Sequence, residues 1–210
     1  MTLPKLYPIL DTGLLERRQF PFIEAARIFL ESGVHLLQWR CKSVVGREQL
    51  EQLDRLMSLC QKHNAMLIVN DRADVAMMAG APGVHLGQED LPPAMVRQLI
   101  GPRATLGYST HNREQFIAGT KLAVDYLALG PIFGTTNKEN PDPVVGLEEL
   151  ASCVGLTTLP VVAIGGITRS NARQVLAQGA ASVAVIGDLV PDSCSADSLR
   201  HRLHEWMGLL

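Results

Sequence analysis

The stretch QWRCK, Gln38 to Lys42, ends an apolar run that begins at Leu36 and Leu37. In an extended chain successive side chains point to opposite faces, so Gln38, Arg40 and Lys42 share one face and Trp39 and Cys41 the other. An amide and two cations on one face can hold an anion. If that face points inward, each cation left without a counter-charge costs on the order of several kcal/mol, so anions must come from the chain or from a ligand. If a ligand supplies them, removing Arg40 should cost little stability.

Other apolar runs end in matching chemistry. VNDRADVA offers the amide of Asn70 and the carboxylate of Asp71, and GVHLGQEDL offers Gln88, Glu89 and Asp90. Asp71 alone reads first as a helix N-cap, and Asp90 before LPPAM reads as a second cap with the prolines in the first turn. Two carboxylates on the same rim as Arg40 and Lys42 also suit Mg2+, which takes one or two carboxylates and completes its shell with water and substrate phosphates. With cations beside them, they read as a cradle for a diphosphate. LGYSTHN brings Ser109 to a strand end with His111 just beyond; His111, and His85 within GVHLG, read as structural histidines. The stretch GPIFGTTNKENPDPVVGLEEL carries Lys138 and is long enough for a lid. IGG and IG, ending in Gly166 and Gly187, expose backbone N–H groups to a phosphate.

These residues need a scaffold that gathers strand ends. Eight apolar runs, at 6–10, 35–40, 65–70, 83–87, 105–109, 126–131, 160–166 and 182–187, alternate with helical stretches. REQLEQLDRLMSLCQKHN has Leu50, Leu53, Leu56 and Met57 at helical spacing, and ITRSNARQVLAQG has a cap at Thr168 or Ser170 and a stop at Gly179. Alternating strands and helices imply a parallel sheet, and eight units imply a closed (β/α)8 TIM barrel with the site at the strand C-termini. Eight units in 210 residues leave about 26 each, a compact barrel with few insertions and one expected domain over 1–210.

Composition narrows the function classes. With 47% hydrophobic and 19% charged residues and a net charge of -2, the chain has no basic run suited to nucleic acid. The four scattered cysteines form no C-x-x-C pair and read as reduced thiols of a cytoplasmic protein. No signal peptide or membrane span is expected, because no apolar run approaches the length of one.

The ordered motifs QWRCK, VNDRADVA, GVHLGQED, GYSTH, GPIFGTTNK and AIGGIT make the chain resemble the thiamin phosphate synthase family over essentially its whole length. The resemblance implies a transferase that joins a hydroxymethylpyrimidine pyrophosphate to a thiazole phosphate, giving thiamin phosphate and pyrophosphate. By position, Gln38, Trp39, Arg40, Cys41, Lys42, Asn70 and Lys138 would hold the pyrimidine pyrophosphate. Ser109 would stand near the reacting centre and Tyr7 would line the pyrimidine pocket. Arg40, Lys42, Ser109 and Lys138 would be catalytic, and Asp71 and Asp90 would bind Mg2+. Thr135, Thr136, Asn137, Gly166, Ile186 and Gly187 would hold the thiazole phosphate. The family usually has Thr at Asn137, often Ser at Gly187, and commonly Pro or Ala at Gly134. The implied chemistry is dissociative: pyrophosphate leaves, a pyrimidine-stabilised cation forms, and the thiazole nitrogen attacks. A related thiazole tautomerase and a non-catalytic thiazole phosphate sensor are the alternative readings. The oligomeric state is open.

Overall fold

Apolar residues along the strands face two ways and build two cores. In the computed structural model, which describes residues 2–43, 45–134 and 142–210, the elements in chain order are β1 (Leu6–Asp11), α1 (Thr12–Arg17), α2 (Phe22–Glu31), β2 (Leu36–Arg40), α3 (Arg47–Lys62), β3 (Met66–Asn70), α4 (Ala73–Ala79), β4 (Gly83–Leu86), α5 (Pro93–Ile100), β5 (Thr105–Thr110), α6 (Arg113–Gly119), β6 (Tyr126–Leu129), α7 (Leu147–Val154), β7 (Val161–Ile164), α8 (Ala172–Ala177), β8 (Ser182–Val185) and α9 (Ala196–Leu209). The strands pair in parallel in sequence order, and β8 pairs with β1 to close the barrel. This is the expected (β/α)8 architecture.

The outer core lies between sheet and helices. Leu37, Trp39, Leu67, Val69, Leu106, Leu127 and Val183 face Phe29, Leu53, Leu56, Phe116 and Trp206 from the helices. Burying each such aliphatic side chain contributes about 1.5–3 kcal/mol. The inner core fills the barrel with Tyr7, Ile9, Leu36, Ile68, Tyr126, Ala128, Val162 and Ala184. Its larger residues lean over glycines on neighbouring strands: a Cβ on Gly107 would stand 2.1 Å from Tyr126 Cζ and 2.5 Å from His85 Nδ1. Small and large residues therefore interlock in layers, as a closed barrel requires.

Helix starts differ from the sequence expectation. The residue before α8 is Asn171, not Thr168 or Ser170; those two hydroxyls lie 2.8 Å apart, and the Asn171 side chain accepts from the Thr168 N–H. The expected stop holds: Gly179 follows α8 at φ +94°. Arg72 stands at the cap of α4 and Pro92 at the cap of α5, with Pro93 in its first turn. Asp71 and Asp90 are therefore not N-caps, and both carboxylates are available for other work. None of the described helices is long and apolar enough to cross a membrane. Cys41, Cys60, Cys153 and Cys194 are free thiols.

Candidate active site

The C-terminal ends of the strands surround a cavity of about 680 Å³, lined among others by Arg40, Lys42, Ser109, His111, Gly166 and Gly187. Strand alternation delivers this set. Leu36 packs in the inner core, Gln38 is buried above it, and Arg40 reaches the mouth with Lys42 beyond. Trp39 points the other way into the outer core and Cys41 packs against it, so any contact of theirs with a ligand in the mouth would be through backbone.

The cations do not stand alone. Asp11, at the end of β1 and in register with Arg40, forms an ion pair with its guanidinium. The other oxygen of Asp11 accepts from the Leu14 N–H at 2.7 Å and caps α1. Sequence reading missed Asp11; the available signal was a carboxylate closing the strand LYPILD. Because of it, removing Arg40 would strand a carboxylate whose side chain is only 9% exposed, so the expectation of little stability cost is corrected. Lys42 Nζ lies 3.7 Å from Asp71 Oδ2.

Asp71 and Asp90 meet. Asp71 sits at φ +64°, a conformation uncommon for a side-chain-bearing residue, and its N–H is held by the His85 carbonyl at 2.8 Å. Asp90 reaches it from the loop after β4, where its Oδ2 accepts from the Gly87 N–H at 2.6 Å. Burial raises the Asp71 carboxyl pKa, the Asp90 charge raises it further, and Lys42 offsets part of this. Two hard carboxylates that repel each other are relieved by a divalent cation. Two carboxylates are a donor set that fits Mg2+ if water and substrate complete its shell; no group of three metal-ligating side chains occurs among the described residues. Asn70 closes β3 on the inner face, in register with His85.

Beneath the mouth a chain of polar side chains crosses the barrel. Gln38 Nε2 donates to Tyr7 Oη at 3.0 Å, Tyr7 and Tyr126 hydroxyls lie 2.9 Å apart, Tyr126 Oη is 2.9 Å from His85 Nδ1, and His85 Nε2 is 2.8 Å from Ser109 Oγ. His85 stacks on Tyr126 with ring centroids 5.5 Å apart. Burial pushes the His85 imidazole pKa down to about 4 and raises both tyrosines, so all three rings are neutral at pH 7. Tyr126 and the polar role of His85 went unread in the sequence, because their partners lie on strands remote in the chain.

The far side of the mouth is built on glycine backbone, with Asp188, Asp192 and Arg202 also lining the cavity there. Gly165 and Gly166 have φ of +95° and +66°. A Cβ on Gly166 would lie 2.6 Å from Gly134 O and 2.7 Å from Phe133 Cβ, so the chain after β6 occupies that space. Phe133 N–H donates to Gly165 O at 3.0 Å and Ile132 N–H to Ile164 O at 2.9 Å, which seats the two loops together. Gly187 opens the 3-10 turn Gly187–Leu189, and Ile186 precedes it on the cavity wall. His111 lines the cavity with Nδ1 3.0 Å from Gly130 O and 3.5 Å from the Asp142 carboxylate. Thr135, Thr136, Asn137 and Lys138, named from the sequence, lie outside the described residues.

A family model described as thiamine monophosphate synthase matches residues 6–189. The chain is similar to the thiamine-phosphate synthase of Koribacter versatilis (strain Ellin345), at 45% identity over all of this chain and 97% of that one. It is 38% identical to the thiamine-phosphate synthase of Caldicellulosiruptor bescii over 90% of this chain and 84% of that one. The solved thiamine phosphate pyrophosphorylase from Pyrococcus furiosus superposes with a TM-score of 0.84 at 36% identity, covering 98% of this chain and 94% of that one.

Proposed function

The chain belongs to the thiamine monophosphate synthase family and is a transferase of thiamin phosphate synthesis, and we propose that it condenses 4-amino-5-hydroxymethyl-2-methylpyrimidine pyrophosphate with a thiazole phosphate, releasing pyrophosphate. The observation that carries this reading is the meeting of Arg40 and Lys42 with the Asp71–Asp90 pair on one rim of the mouth.

In a dissociative displacement negative charge grows on the departing pyrophosphate. Fixed positive charge held before the reaction starts stabilises that transition state more than the ground state. Arg40 is preorganised by Asp11 and its strand; Lys42, 62% exposed and 3.7 Å from Asp71, stands at the mouth beside the acid pair. By the family resemblance Lys138, outside the described residues, would join them. Asp71 and Asp90 would hold Mg2+, which when bound supplies further charge neutralisation to the diphosphate. Gln38, Tyr7, Asn70 and Ser109 would hold the pyrimidine end, with Trp39 and Cys41 contributing backbone. Thr135, Thr136, Asn137, Gly166, Ile186 and Gly187 would hold the thiazole phosphate, the glycines through N–H groups. The attacking thiazole nitrogen already carries a lone pair, so no strong general base is required, and none of the buried neutral groups needs to act as one. A closed mouth keeps water from trapping the cation. The free thiols suit a cytoplasmic enzyme.

Pyrophosphate release by purified protein given both substrates, with and without Mg2+, tests the proposal. Release that needs both substrates and rises with Mg2+ is expected. A tautomerase would isomerise the thiazole phosphate alone, and a sensor would bind it without turnover; either result would refute the reading.

A further inference from the structure

The chain from Gln38 to Ser109 has a direction, and its two ends sit on different strands. Each phenol hydroxyl has one hydrogen, and a neutral imidazole has one N–H and one bare nitrogen. Gln38 turns its amide nitrogen, a donor only, toward Tyr7. Tyr7 Oη therefore accepts from Gln38, and its own hydrogen goes to Tyr126 Oη, 2.9 Å away. If it pointed elsewhere, Tyr126 would have to donate to Tyr7, and the Tyr7 hydrogen would be left buried without an acceptor, because the other described partner of its oxygen is the donor-only Gln38 amide nitrogen. Tyr126 then gives its hydrogen to His85 Nδ1 at 2.9 Å. The imidazole hydrogen is left on Nε2, directed at Ser109 Oγ at 2.8 Å. Ser109 Oγ accepts there, so its own hydrogen is free for the cavity it lines. Each bond polarises the next, which reinforces one direction over the other.

We propose that Gln38, acting through Tyr7, Tyr126 and His85, sets Ser109 as a hydrogen-bond donor to an acceptor atom of the bound pyrimidine pyrophosphate, with Tyr126 and His85 as positioning residues. Turn the Gln38 amide over and the whole chain reverses: Ser109 would then donate to His85 and offer only lone pairs to the substrate. Four strands contribute links besides β5, which carries Ser109, so the donor is defined by the closed barrel and not by its own loop. Gly107 is part of the device, because any side chain there would occupy the place of Tyr126 and His85. The consequence for turnover rests on the synthase reading above; the tautomer of His85 does not.

Nitrogen-15 NMR of the free full-length protein, with histidines assigned through the backbone, reads the direction. The expected spectrum has His85 protonated at Nε2 and bare at Nδ1; protonation at Nδ1 would overturn the proposal. Tyr7→Phe cuts the chain above Tyr126 and should let the Nδ1–H form appear, whereas an unchanged tautomer would mean Gln38 does not set it. In turnover, Tyr126→Phe should lower kcat about tenfold, the scale of one hydrogen bond, with KM for the thiazole phosphate unchanged. Combined with Ser109→Ala it should cost nothing further, because it acts through Ser109. Additive losses, with each variant melting as the wild type does, would sink the inference while leaving the synthase reading intact. If the wild type forms no thiamin phosphate, that reading fails and the tautomer spectra alone decide this one.

Discussion

The ends of β1 to β4 and the ends of β7 and β8 close the same mouth with different materials. The first half uses charged side chains: Asp11 against Arg40, Lys42 against Asp71, and Asp71 against Asp90. The second half uses glycine backbone: Gly165 and Gly166 after β7 sit at positive φ, wedged against the chain after β6, and Gly187 opens the turn after β8. The charged half carries electrostatic tension that the proposed metal or diphosphate would relieve, so it should respond to pH, salt and Mg2+. The backbone half is held by close packing, and charged side chains beside it are paired with one another, Arg169 with Asp188 at 3.0 Å and Arg18 with Asp192, so it should respond chiefly to side-chain volume. The contrast matches the proposed division of labour, in which charge changes on the leaving pyrophosphate while the thiazole phosphate is only held.

Arg40→Met should break the charged half most severely. Losing one preorganised cation should slow the chemical step by about 3–4 kcal/mol. Stability should also fall by about 1–3 kcal/mol as Asp11 loses its partner while keeping the Leu14 N–H bond. Adding Asp11→Asn, which keeps an N-cap acceptor, should restore the melting temperature without restoring turnover. Single-turnover kinetics with thermal melts separate the two effects; slow chemistry recovered by the second substitution would mean that Arg40 serves structure alone.

The backbone half is tested by volume. Gly166→Ala places a Cβ within 2.6 Å of Gly134 O and imposes a left-handed backbone on a residue with a side chain. A loss of about 2–4 kcal/mol is expected from strain plus overpacking. Binding of a thiazole phosphate, measured by calorimetry, should weaken in step, and neither effect should change with Mg2+. A metal-dependent loss would erase the distinction between the halves.

Asp71→Ala and Asp90→Ala should each lose about tenfold or more in turnover, near 1.4 kcal/mol, with partial rescue at raised Mg2+. Wild-type turnover in either variant at low Mg2+ would remove the metal assignment. The raised Asp71 carboxyl gives this half a signature in pH. Between the ordinary carboxylate pKa and its raised value the native state holds the extra proton, so stability falls as pH rises through that window. Above the window the destabilisation is complete. Asp71→Asn should therefore raise the melting temperature of metal-free protein at pH 7, and the gain should vanish below about pH 3.9. Mg2+ should stabilise the wild type at pH 7 and lose that effect as the pH falls. Differential scanning fluorimetry across pH reads both.

Cys41→Ser should do least. Its side chain packs outside the barrel, and the proposed chemistry needs no thiol. Turnover within about twofold of wild type is expected, since surface and rim changes of this kind stay near 0.5 kcal/mol. A large loss at unchanged stability would place the thiol in the mouth after all.

The parity of QWRCK was readable because side chains on a strand alternate, and eight runs closed by glycine or polar residues were enough to imply a closed parallel barrel. That much is local: period, punctuation and count. Asp11 was not legible as a partner of Arg40, because their contact depends on the register between β1 and β2, and in one dimension Asp11 reads only as the end of a strand. Asp71 and Asp90 were legible as acids at strand ends, but Asp71 was released from capping by turning to positive φ under the hold of the His85 carbonyl, and Asp90 by folding back to the Gly87 N–H while Pro92 caps α5. The buried chain from Gln38 to Ser109 joins residues up to 119 positions apart. Sequence alone determined which chemistry this protein carries at its strand ends. Closure of the barrel decided which of those groups pair and which direction their hydrogens take, because hydrogen bonds and ion pairs depend on distances of a few ångströms that only the packed sheet sets.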